Sequence, residues 1–221
     1  NPKLVYAEIT GYGTDGPDVD LPGYDAILQA RSGIMFSRRM PDGSPIPSVV
    51  LVADQSGSMM LAYAIMLALW ERKTTGKGQK IEVSLLAQAL AMQANDLVQV
   101  EGDFVEVGTA GGPARGALFC YKCLDELYLT LVAVTPRQWE NLCKVTELEH
   151  LVSDGRFVDF DDRRHMAQEL FEIFSAIFAT RPREEWLALL RNADVPASAV
   201  LERDEVFIDK QVVANNMFVT Q

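Results

Sequence analysis

Histidine and cysteine are scarce, with two and three residues among 221. Three thiols cannot all pair with one another, so no disulfide scaffold is expected and a reducing compartment, the cytoplasm, fits better. His150 and His165 stand alone in a charged region, and Cys120 and Cys123 have no second pair to complete a zinc site. No metal and no Ser/His/Asp set is expected. Bases are also short: 20 Lys and Arg face 31 Asp and Glu, for a formal charge of −11. That balance argues against nucleic acid or an anionic membrane as a partner of the whole surface. The uncharged run Met59–Trp70 is apolar on every face, but at about a dozen residues it falls short of the ~20 a membrane span needs. It reads as a buried helix. No secretion signal opens the chain. Asn1 instead leads straight into a strand pattern, and the end follows the apolar Met217–Val219, so the sequence reads as the central part of a longer protein.

What is present is an alternation of strand and helix. Leu4–Thr10 is β-branched and apolar, then breaks into the glycine loop Gly11–Pro17. Tyr24–Ala30 has helical spacing, Pro41–Pro47 is turn-rich, and Ser48–Ala53 is a short apolar run of strand character. After the Met59–Trp70 helix, Gly76-Lys-Gly-Gln79 reads as a helix C-cap and turn. It lacks the spacing and the Ser/Thr of a phosphate loop. Lys80–Val83 resembles a strand and Leu85–Val100 a second apolar helix. The pattern predicts an α/β layer structure with a mainly parallel sheet over residues 1–100. A glycine-rich linker occupies 101–116, and a small α+β domain is expected over 117–203. Its elements are strands at Ala117–Tyr121 and Glu126–Val134, helices at Pro136–Val145, Asp161–Thr180 and Pro182–Arg191, and a last strand at Ala197–Leu201. Pro182 suits the first helical position.

Asp54 is the only charged side chain between Pro45 and Trp70. A carboxylate in such surroundings costs desolvation energy unless something holds it. The simpler account is a helix N-cap that accepts from the N–H of Ser56 or Gly57. The other is chemical, because α/β proteins place reacting groups at strand–turn–helix junctions. An anionic carboxylate shielded from water there can attack an acyl group.

Five segments in order carry a resemblance: Asn1–Gly13, Gly16-Pro17, Pro22-Gly-Tyr-Asp25, Val52-Ala-Asp54 and Glu71–Gln79. Together they resemble the family III CoA-transferases (CaiB/BaiF), the group that includes formyl-CoA transferase, carnitine CoA-transferase and α-methylacyl-CoA racemase. The resemblance implies a Rossmann-like large domain, of which residues 1–100 form a part. It also makes 204–221 the linker that returns to that domain from the small one. It implies that Asp54 is the nucleophile, forming a mixed anhydride and then an aspartyl-CoA thioester while CoA passes from an acyl-CoA to a carboxylic acid. CoA is then a substrate, and no cofactor is held permanently. Tyr24 takes the place where the family's racemases carry histidine. A phenol with a reference pKa near 10 is a poor second base, so Tyr24 is expected to line the acyl pocket or simply to pack. Gly111 and Gly112 resemble a glycine loop that closes over the substrate, although Pro113 stiffens it and a plain linker is the simpler reading. Arg38-Arg39 could meet a CoA phosphate, or be a solvated loop pair. By the same resemblance the intact protein is an interlocked homodimer, and a piece of this length holds the nucleophile without being active alone. Two alternatives stay open: an acyl-CoA racemase or epimerase, and a non-catalytic acyl-CoA-binding module in which Asp54 is only a cap.

Overall fold

The computed structural model describes residues 1–37, 40, 42–97 and 119–218. The chain divides into two compact units, Asn1–Gly111 and Gly112–Gln221.

In the first unit, β1 (Tyr6–Thr10) pairs in parallel with β2 (Lys80–Ser84), in a register running from Tyr6 opposite Lys80 to Thr10 opposite Ser84. The connection between them holds α1 (Asp25–Arg31), a 3-10 turn at Ile34–Ser37 and the long α2 (Val52–Thr75). A parallel pair needs such a crossover, because a tight turn can join only antiparallel strands. β2 runs straight into α3 (Leu85–Ala91), whose N-cap Ser84 accepts from the N–H of Ala87 at 3.3 Å. The expected single helix over 85–100 breaks at Met92 and Gln93, and α4 (Ala94–Leu97) follows. At that break the Gln93 amide donates to the carbonyls of Ser32 and Ala89. Leu28, Ala53 and Ala89 form the buried centre, with Tyr12, Ile34, Leu85 and Leu86 packed around them.

Two expectations are overturned here. Ser48–Ala53 is not a strand. Gln29 of α1 takes the N–H and carbonyl of Ser48 and the carbonyl of Val50, the groups a ladder would need, and helix α2 already begins at Val52. Nor is α2 a buried helix. Met59, Tyr63, Met66, Leu67 and Trp70 are all more than half exposed, because the described elements of this unit cover only one side of α2. That side carries Gly57, which lies against Ile9 of β1 and Leu85 of α3. At 24 residues, α2 is long and apolar enough to cross a membrane by length and composition. It ends where expected: Gly76 adopts φ 70° and donates its N–H to the Arg72 carbonyl.

The second unit is an antiparallel sheet of β3 (Phe119–Lys122), β4 (Tyr128–Leu131) and β5 (Ala197–Ala199) with helices packed on it. Its helices are α5 (Pro136–Val145), α6 (Phe160–His165), α7 (Ala167–Phe178) and α8 (Arg183–Asn192). The periodicity over 161–180 is split at Met166, and Pro182 is the N-cap of α8 rather than its first residue. Thr135 and Gln138 close a reciprocal capping box on α5. Phe174 and Phe178 meet Trp139 and Trp186 edge-on at 6.0 and 5.0 Å. Large side chains buried this fully are worth about 1.5–3 kcal/mol each. After β5 come a 3-10 turn at Glu205–Ile208 and α9 (Lys210–Ala214), with Phe207 and Ile208 largely exposed.

Candidate active site

The site is built where the end of β1 meets the first turns of α1 and α2. Gly11, just past β1, and Gly23, just before α1, touch backbone to backbone: a Cβ on Gly11 would lie 2.7 Å from the Gly23 Cα. Only glycine permits that approach. It sets the start of α1, and so Asp25, beside the end of the strand.

Asp25 is 5% exposed and opens α1. Its Oδ1 accepts the N–H of Ala53 at 2.7 Å and of Asp54 at 3.1 Å, the free donors in the first turn of α2. Its Oδ2 accepts from Gln29 Nε2 at 2.5 Å, while Gln29 Oε1 takes the Ser48 N–H at 2.8 Å. Two buried side chains one turn apart on α1 therefore fix both the loop into α2 and its first turn. An ionised carboxylate on helix N–H groups is the strong form of such a bond, favoured also by the helix dipole.

This corrects the cap reading of Asp54. The N-cap residue of α2 is Leu51, whose side chain caps nothing, and the carboxylate that serves the helix end belongs to Asp25. Sequence reasoning missed Asp25 in this role, although its signal was present in the Gly-Tyr-Asp segment that opens a helix. Asp54 itself sits in the first turn of α2, half-buried. Among the described residues no side chain or backbone N–H donates to its carboxylate. The neighbouring hydroxyls turn to the backbone instead: Ser56 Oγ donates to the Val52 carbonyl and Ser58 Oγ to that of Asp54. What results is a carboxylate at the positive end of a helix whose Ala53 and Asp54 N–H groups are already occupied.

Tyr24 precedes Asp25 and is 68% exposed. The structure brings it and Asp54 to one corner through Asp25, whose carboxylate holds the Asp54 N–H. Gly111, Gly112, Arg38 and Arg39 lie outside the described residues. A cleft of about 440 Å³ opens over the carboxyl ends of β1 and β2, lined by Thr10, Thr14, Met60, Glu82, Ser84 and Gln88 among others. Asp54 does not line it. The described residues hold no cluster of His, Cys, Asp or Glu able to bind a metal. Cys120, in β3, is exposed and Cys123, just past that strand, is buried.

The model of CoA-transferase family III matches residues 1–221, the whole chain. The chain belongs to that family. It is 31% identical over 221 residues to succinyl-CoA:glutarate CoA-transferase of Mus musculus, covering 98% of this chain and 50% of that one. It is 29% identical to acetyl-CoA:oxalate CoA-transferase of Acetobacter aceti, over 99% of this chain and 57% of the other. A crystal structure of a CAIB/BAIF family protein from Brucella suis superposes with a TM-score of 0.79 at 28% identity, covering 99% of this chain and 58% of that one. The chain thus spans about half the length of the curated relatives it matches. The α/β class with parallel strands, expected from the sequence, is the class of these family structures.

Proposed function

We propose that the protein containing this chain is a CoA-transferase that moves CoA from an acyl-CoA thioester to a small carboxylic acid, with Asp54 as the nucleophile. The observation that carries the reading is the half-buried carboxylate of Asp54, to which no described residue donates, at a helix end capped by another residue, in a chain matched throughout by the family model. The names of the relatives, with glutarate and oxalate as partner acids, support the substrate class.

In this reading an Asp54 oxygen attacks the donor thioester carbonyl and the C–S bond breaks, leaving a mixed anhydride and CoA thiolate. The thiolate attacks the Asp54 carbonyl of the anhydride, forms an aspartyl-CoA thioester and releases the donor acid. The acceptor carboxylate then attacks that thioester and expels the thiolate again. In the last step the thiolate attacks the acceptor's carbonyl, giving the new acyl-CoA and free Asp54. No proton or electron is left over. Dividing one exchange into four acyl transfers is the gain that covalent catalysis offers. Tyr24 lines the acyl pocket, and the enzyme works in the cytoplasm as an interlocked homodimer.

The test incubates the complete protein with acyl-CoA donors, quenches with hydroxylamine and searches the Asp54 peptide by mass spectrometry. Modified Asp54, lost in Asp54→Ala together with turnover, is the expected result. Full activity in Asp54→Ala ends the covalent reading, and α-proton exchange in deuterated water without acid exchange replaces it with a racemase.

A further inference from the structure

We propose that Asp25, held by Gln29, is a positioning residue for the reaction: by occupying the Ala53 and Asp54 N–H groups in the first turn of α2 it keeps the Asp54 carboxylate from turning back to cap its own helix. The inference rests on the covalent reading of Asp54 above.

The reasoning starts from what the helix end needs. The first N–H groups of a helix have no intrahelical partner and draw in the nearest acceptor. At the start of α2 the acceptors are few. Leu51, the N-cap residue, has none in its side chain, and the Ser56 hydroxyl is committed to the Val52 carbonyl at 2.6 Å. Without Asp25, the acidic side chain left in that first turn is Asp54. A carboxylate in the first turn of a helix is drawn to free N–H groups by both hydrogen bonding and the dipole. Each lone pair spent on such a bond is withdrawn from attack on a thioester, and the side chain is pulled toward the helix axis.

Asp25 removes that competition. Its Oδ1 takes both N–H groups, at 2.7 and 3.1 Å. Its aim is fixed rather than incidental: Oδ2 is held by Gln29 Nε2, and Gln29 cannot turn its amide over without losing the Ser48 N–H on its Oε1. Asp25 and Gln29 are 5% and 1% exposed, so water does not substitute for either. Asp25 need not touch substrate to act in this way.

The experiment uses the complete protein with an acyl-CoA that labels Asp54 in the wild type, and measures the rate of adduct formation beside kcat and KM for donor and acceptor. Asp25→Ala is expected to slow both adduct formation and kcat by about 100-fold, the order a misplacement near 1 Å costs. The KM for donor should move by less than about threefold, because the binding surface is not touched. Asp25→Asn keeps an acceptor for both N–H groups and sets its amide nitrogen against Gln29 Nε2, donor to donor, a cost to stability rather than to the aim of Asp54, so the folded variant should stay within about tenfold of wild type. A fall in yield or melting temperature alone, the mark of a merely structural residue, would not reproduce that split or that rescue. Folded Asp25→Ala with wild-type kcat and labelling overturns the proposal and leaves the covalent reading intact. If Asp25→Ala does not fold, Asp25→Asn decides alone: near-wild-type labelling supports the proposal, and a folded variant as inactive as Asp54→Ala overturns it. Failure of the wild type to label with any donor it turns over removes both readings together.

Discussion

Exchanging Asp54 and exchanging Asp25 should both impair the chemistry but differ sharply in their cost to stability. Asp54→Ala removes a carboxylate to which no described residue donates. Its remaining contribution to folding is the interaction with the helix dipole, about 0.3–1 kcal/mol, and alanine's better helix propensity returns part of that. Asp25→Ala is a different loss. Two buried bonds from Ala53 and Asp54 disappear, and bonds to an ionised acceptor are worth ~1.5–3 kcal/mol each. The Ala53 N–H belongs to a residue with no exposed surface, and Gln29 loses its partner as well. Partial recapping offsets some of this, so a cost of roughly 3–5 kcal/mol is expected.

Scanning calorimetry resolves the two cases, since in a chain of this length one kcal/mol moves Tm by about 2–4 °C. Asp54→Ala should melt within about 2 °C of wild type and be inactive, whereas Asp25→Ala should melt roughly 10 °C lower. Where more than one transition is seen, the comparison is made on the one that Asp25→Ala moves. If Asp54→Ala loses as much stability as Asp25→Ala, then Asp54 is a structural cap, and the division of labour between the two aspartates is wrong.

Gly11→Ala should destabilise by about 1–2 kcal/mol in urea titration, because overpacking at ~1–3 kcal/mol outweighs the smaller entropic gain from losing glycine. Its Cβ would meet Gly23 backbone at 2.7 Å, so a neutral result refutes the close approach. Gly57→Ala should lie within about 1 kcal/mol of wild type, since the nearest atom at 2.4 Å is the mobile end of Leu85 and the helix interior gains from alanine. Thr135→Ala opens the capping box of α5 and should cost about 1 kcal/mol, read from the urea midpoint. Burial pushes the Cys123 thiol up to about 11 and the Cys143 thiol up to about 12, while Cys120 is exposed. A thiol-specific alkylator at pH 8 should therefore label Cys120 in the folded protein and all three cysteines in denaturant. The same raised values make folding favour the protonated thiols, an advantage present below the ordinary thiol range and lost as pH rises toward 12. Rapid labelling of Cys143 in the native state at pH 8 would contradict its burial.

The amino-acid pattern made β1, β2, α5 and the C-cap at Gly76 legible because each is decided locally. Alternating β-branched residues, a proline at a first helical turn and a glycine at positive φ act within a few residues. Ser48–Ala53 departs from its strand-like pattern for a reason that local pattern cannot contain. Its backbone groups are claimed by Gln29 and Asp25, some twenty to thirty positions earlier, and such a claim overrides β propensity. The same long-range claim explains why the sequence pointed to Asp54 but left its role divided between cap and nucleophile. An isolated aspartate before an apolar run fits either, and the ambiguity depends on who else can reach the helix end. Once Asp25 is seen on the N–H groups of Ala53 and Asp54, the structural need is met from elsewhere. What the structure adds is that Asp54 sits half-buried at a helix end whose Ala53 and Asp54 N–H groups are held by another carboxylate, a relation between residues nearly thirty positions apart that no local pattern contains.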